Sequence, residues 1–145
     1  ATTKGGILHI TDIQNTSEAV RFALWLYQQD LVAVKSLCSH LKCPKEYQQL
    51  AELSTEWYPV AKILLDQPAD AVLSFILGAD ALRRQQRFGQ LLEVFDCLGI
   101  NTYPIEQLVH ELKKIDVSTL DKAQIVKELA RERLTVTQYF LDSTQ

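Results

Sequence analysis

This chain has no methionine, no apolar run approaching the roughly 18 residues of a membrane span, and no charged segment leading into an apolar one at its start. A membrane-crossing helix and a secretory signal are therefore not expected. A chain that opens on Ala1 without methionine reads as a piece of something longer, although removal of an initiator before alanine would look the same. Cysteine is sparse, and Cys38, Cys43 and Cys97 lack the spacing of a metal site; His40 has no partner histidine at helical reach. Free, mostly buried thiols in a reducing cytoplasm are the expectation. Phosphate-loop, dinucleotide and zinc-protease patterns are missing too. His9, His40 and His110 are scattered, and the pairs Glu106 with Glu111 and Glu128 with Glu132 have spacings ordinary for a solvated helix face. No catalytic residue and no metal ligand emerge, and no cofactor is expected in this chain.

What is present is helical periodicity. With 145 residues, 47% hydrophobic and 23% charged, the chain has the size and composition of one globular domain, or of a compact pair of small helical layers sharing one core. Asn15 or Thr16 is expected to cap a first helix with Val20, Ala23, Leu24 and Tyr27 on one stripe. Asp30 is expected to cap a second, with Val34, Leu37, Cys38 and Leu41 facing inward. Pro44 opens a third, burying Tyr47, Leu50, Leu53 and Trp57, with a kink or break at Tyr58-Pro59. A nearly all-apolar helix follows from Pro68, with a joint between Gly78 and Leu82. Phe88, Leu91, Leu92 and Phe95 form the next stripe, stopped at Gly99. Ile105, Leu108, Val109 and Leu112 mark another, begun at Pro104. The last helix runs from a cap at Thr119 or Asp121 to about Phe140. The reading is an all-α bundle of six to seven short helices over 17–140, with an arm at 1–16 and a tail at 141–145.

The net charge of −3 argues against a surface that is basic throughout but leaves room for one basic face. Two clusters stand out. In "ADALRRQQRF" (79–88), Arg83, Arg84 and Arg87 lie between apolar anchors, and positions 83 and 87 would share a helix face. In "KELARERL" (127–134), Lys127 and Arg131 are one turn apart, with Arg133 nearby. Arginine forks match phosphate geometry. The competing reading neutralises them: Arg87 by Asp80 or Glu93, the second cluster by Glu128 and Glu132.

Four segments in order, "VRFALWLYQQ" (20–29), "VKSLCSHLKCPKEYQQLAEL" (34–53), "QPADAVLSFILGADALRRQQRFGQLLEVFDC" (67–97) and "AQIVKELARERLTVTQYF" (123–140), resemble the C-terminal helical region of bacterial CCA-adding enzymes, the multifunctional tRNA nucleotidyltransferases. The resemblance implies a helical body and tail that grip the tRNA backbone on its elbow and acceptor side and present the 3′ end to an N-terminal catalytic head. That head would use Mg2+ with CTP and ATP, and lies outside this chain. Under this reading Arg83, Arg84, Arg87, Lys127, Arg131 and Arg133 are the RNA-binding candidates, and the setting is cytoplasmic. The departures are equally specific. Tyr27 and Gln28 stand where the family's phosphohydrolase version carries a His-Asp metal pair. No histidine-rich loop precedes Leu31, "STEWYP" (54–59) has no histidine, and an acidic stretch of the family becomes "VFDCLGI" (94–100). The implied region is a degenerate metal-phosphohydrolase (HD-type) bundle without metal. The alternative reading makes the same bundle a protein-interaction or homodimerisation module, presenting aromatics such as Trp25, Trp57 or Tyr103.

Overall fold

The computed structural model describes residues 17–144. The arm expected at 1–16 and the caps Asn15 and Thr16 lie outside the described residues. Among the described residues seven α-helices follow one another: α1 (Glu18–Leu26), α2 (Leu31–Leu41), α3 (Lys45–Ala61), α4 (Ala69–Gly78), α5 (Gln85–Cys97), α6 (Tyr103–Lys113) and α7 (Ile125–Ser143). Three 3-10 turns, Leu64–Asp66, Val117–Thr119 and Lys122–Gln124, lie in the connections. No strand occurs among the described residues, and the fold class is all-α as read from periodicity. The helices fall into two compact units, 17–62 with 84–102 and 63–83 with 103–144.

In the first unit α3 is the hub, packing on α1, α2 and α5, and α1 also packs on α5. Val20, Ala23 and Leu24 of α1, Leu50 and Ala51 of α3, and Phe88, Leu91, Leu92 and Phe95 of α5 are buried, as their spacing predicts. The first cap is Ser17, whose hydroxyl accepts from the Val20 amide at 3.3 Å; Asp30 caps α2, accepting from Ala33 at 2.7 Å. Thr55 is buried yet satisfied: its hydroxyl reaches the Ala51 carbonyl at 2.9 Å and the Leu26 carbonyl at 3.2 Å, which also accepts from the Gln29 amide at the end of α1.

Four expectations need correction here. Leu37 and Leu41 are exposed, because α2 packs chiefly on α3 and that contact covers only the row Val34–Cys38. Tyr47, Leu53 and Trp57 are half-buried, and only Leu50 of that stripe is enclosed. Pro44 sits one residue ahead of α3, its carbonyl accepting from the Gln48 amide at 3.1 Å. No break occurs at Tyr58-Pro59: α3 runs through Pro59 to Ala61, where the proline lies so near the helix end that little helix remains to disrupt.

Three helices end in one hydrogen-bond pattern. After α5, the Gly99 amide bonds the Asp96 carbonyl and the Ile100 amide bonds the Phe95 carbonyl, both at 3.0 Å, with Gly99 at φ 87°. After α2 the same pair of bonds forms around Lys42 at φ 55°, and after α4 around Asp80 at φ 59°. This last turn is the joint expected near Gly78 to Leu82.

In the second unit α7 packs on α4 and on α6. Val72, Leu73, Phe75 and Ile76 of α4 are buried, while Leu77 is exposed, so α4 is not enclosed all round. The expected stripe Ile105, Leu108, Val109 and Leu112 of α6 is buried. Only Thr137 and Leu141 of the long α7 are fully enclosed. Asp121 does act as a cap, accepting from Ala123 at 3.0 Å while its own amide donates to the Glu128 carboxylate at 3.0 Å. It caps a 3-10 turn, however, and α7 proper begins at Ile125 and continues past Phe140 to Ser143.

Candidate nucleic-acid interface

The basic candidates divide between the two units, with the boundary between Arg83 and Arg84. In the first unit Arg84 occupies the residue before α5 and Arg87 its first turn, where no acidic side chain stands. Cations at a helix N-terminus oppose the positive end of the helix dipole, an arrangement that costs stability and suits an anion. Arg84 is exposed. Arg87 is half-buried, and its Nη1 donates to Gln49 Oε1 of α3 at 3.3 Å, which fixes the guanidinium across two helices.

In the second unit Arg83 closes the turn after α4. Its Nε lies 3.7 Å from Asp80 Oδ1, and its side chain is 81% exposed, so the pair is long, solvated and weak. Because α5 begins only at Gln85, Arg83 and Arg87 do not share a helix, and the expected common face does not form. On α7, Lys127 and Arg131 are exposed and one turn apart on one face. Arg133 differs. It lies half-buried on the stripe that continues through buried Thr137 and Leu141, and the Thr137 hydroxyl donates to its carbonyl at 2.8 Å. Arg84, Lys127, Arg131 and Arg133 make no ion pair with any described residue. Glu128, which the competing reading sets beside the cluster, accepts from the Asp121 amide. Gln49 was not legible in the sequence; nothing in a lone glutamine on an amphipathic helix signals a partner 38 residues away.

At Tyr27 and Gln28 the side chains do not fit a cation. Tyr27 is buried and meets Tyr58 edge to face at 4.8 Å between ring centroids, and Tyr58 continues to Phe95 at 6.4 Å. Burial, with the neighbouring Tyr58 hydroxyl, raises the Tyr27 pKa and keeps the phenol neutral. Gln28 is exposed. No group of three or more His, Cys, Asp or Glu able to hold a metal occurs among the described residues. Cys38 is buried, but Cys43 and Cys97 are only half-buried, a correction to the expectation of mostly buried thiols; none of the three is in a disulfide. Burial first, then the adjacent Cys43, pushes the Cys38 thiol up to about 11, which keeps it protonated and unreactive at neutral pH. Of the aromatics considered for an interaction surface, Trp25 is 83% and Tyr103 61% exposed, while Trp57 is half-buried.

Sequence comparison supplies the context for these arginines. The multifunctional CCA protein of Haemophilus influenzae (strain PittGG) is 30% identical over 125 residues, which cover 74% of this chain and 30% of that protein. The CCA-adding enzyme of Coxiella burnetii (strain RSA 493 / Nine Mile phase I) is 30% identical over 125 residues, covering 82% of this chain and 32% of that protein. The chain is homologous to a region of CCA-adding enzymes. A further CCA-adding enzyme, from Pseudomonas putida (strain F1), is 29% identical over 123 residues, 79% of this chain and 33% of that protein. The chain thus spans about a third of the length of the CCA-adding enzymes it matches. No family model and no solved structure matches it. No described helix is long and apolar enough to cross a membrane.

Proposed function

We propose that this chain is the C-terminal helical body and tail part of a CCA-adding tRNA nucleotidyltransferase, acting in the cytoplasm. Its work is to hold the tRNA backbone and place the 3′ end in a catalytic head supplied by a segment beyond the chain. Mg2+, CTP and ATP would be handled by that head. The observation that carries the reading is the start of α5. There Arg84 and Arg87 stand at the positive end of a helix with no acid in its first turn, and Gln49 holds Arg87 in place. The amides of a helix start and arginine forks each suit a phosphate. Such contacts position an RNA without reading its bases, which suits an enzyme that must accept many tRNAs. Arg83, Lys127 and Arg131 would add exposed, adaptable charge, and Arg133 a half-buried one. Under the same reading Tyr27 and Tyr58 mark an HD-type bundle whose metal site has become apolar packing.

A second reading rests on Trp25, an indole 83% exposed on α1 in a unit whose other large rings are at least half covered. An exposed tryptophan is a frequent anchor of protein interfaces, and a bundle of this kind could dimerise or bind another protein.

Fluorescence anisotropy with labelled tRNA lacking its CCA end separates the two. The first reading expects binding that weakens as salt rises and weakens again in Arg84→Ala/Arg87→Ala. A folded chain that fails to bind tRNA at low salt, and whose association state changes in Trp25→Ala, would replace it with the second.

A further inference from the structure

The face that α6 and α7 leave open in the second unit has the opposite electrical character from the arginines. Two adjoining clefts of about 410 and 360 Å³ run along these helices and share Glu111 and Val136. Val136 lies in both; Tyr139, 76% exposed, and Phe140 add aromatic rings to the first, and Ile115 and Leu120 apolar surface to the second. Four carboxylates edge it, Glu106 and Glu111 from α6, Asp116 from the following loop and Glu132 from α7. The only lysine on this lining is Lys114, already paired with Glu111 at 3.0 Å.

Helical geometry keeps this groove apart from the cationic stripe. Glu132, Val136, Tyr139 and Ser143 recur at intervals of three and four on one side of α7, whereas Lys127 projects from the far side and Arg131 from the flank next to it. The helix therefore offers negative charge with aromatic rings on one face and positive charge on the other. A polyanion is repelled from the groove. A guanidinium or ammonium gains both from the carboxylates and from the tyrosine and phenylalanine faces.

We infer that the α6–α7 groove is a docking site for a basic, amphipathic peptide segment of a partner protein. Its apolar side chains lie on Val136 and Phe140, and its arginines or lysines reach Glu106, Glu111, Asp116 and Glu132. Charge complementarity selects this occupant. The inference does not depend on the tRNA reading, because it uses none of the same residues.

The test uses this chain and a short fluorescein-labelled peptide of alternating arginine and leucine pairs, with a glutamate-for-arginine version as control. The arginine peptide should bind, lose affinity with added salt, and bind about tenfold more weakly to Glu111→Lys/Glu132→Lys. Tyr139→Ala should weaken it as well. All three altered positions are exposed, so helicity by circular dichroism should remain native, and tRNA affinity should not fall. The inference is overturned if the peptide does not bind, or if natively helical variants bind it as well as the parent does. It is equally overturned if sedimentation shows a dimer that Tyr139→Ala dissociates, since a second copy would then be the occupant.

Discussion

The basic residues of the first unit and those of the second are built differently. Arg87 emerges from a helix start wedged into a closed interior, with Phe88 buried beside it and Gln49 holding its guanidinium. Lys127 and Arg131 ride on a long helix of which only Thr137 and Leu141 are fully enclosed, and neither pairs with a described residue. A held cation loses little side-chain entropy on meeting a phosphate, whereas a free one loses more but adapts to different backbones. The first arrangement suits register, the second suits added affinity. The acidic groove lined by Glu132 sharpens the contrast further, because it sets negative charge on the same helix as Lys127 and Arg131.

The largest effect should come from breaking the interior that holds Arg87. Phe95 is fully buried and lies against Tyr58, so Phe95→Ala should destabilise the fold by about 3–5 kcal/mol in urea unfolding. The same change should also weaken tRNA binding, because Arg87 loses its platform.

The next effect concerns helix ends. Gly99→Ala forces a Cβ into the left-handed region at φ 87° and should cost about 1–2 kcal/mol. Lys42 holds the same kind of position at φ 55° with a side chain already present. Lys42→Gly should therefore stabilise the chain, by less than about 1 kcal/mol once the freedom gained by the unfolded glycine is subtracted. Opposite signs at two ends with identical hydrogen bonds would show that the backbone conformation, rather than the bonds, sets the difference.

A pH effect should follow from Cys38. The unfolded thiol gives up its proton near 9.0, while the folded one keeps it to about 11. Between those values the folded state binds more protons, so stability falls as pH rises through the window. Cys38→Ala should flatten this part of the stability curve relative to the parent.

Much of this fold was legible in the sequence because its signals are local. The stripes of α5 and α6 are buried residue for residue, and Asp30 and Gly99 do what their types predict. The misreadings arise where a neighbour, or its absence, decides. Leu37 and Leu41 have the right spacing, but no described helix covers them. Pro59 looks like a break, yet it sits where α3 is about to end. Lys42 and Asp80 terminate helices in the manner of glycine without the residue that announces it. At the candidate interface, spacing identified the cationic clusters but could not tell that the helix begins only after Arg84. Nor could it separate Arg133 from Arg131, because which side of α7 is enclosed depends on α4 and α6.

The salt dependence of tRNA binding tests the central claim most directly. Plotting the logarithm of affinity against that of salt for the parent, Arg84→Ala/Arg87→Ala and Lys127→Ala/Arg131→Ala counts the phosphates each pair engages. If the start of α5 grips the backbone, its double variant should lose affinity and flatten the slope by about two, roughly one per arginine. The α7 pair should lose less. A parent slope unchanged in Arg84→Ala/Arg87→Ala, in a chain that still binds tRNA and is still folded, would contradict the account.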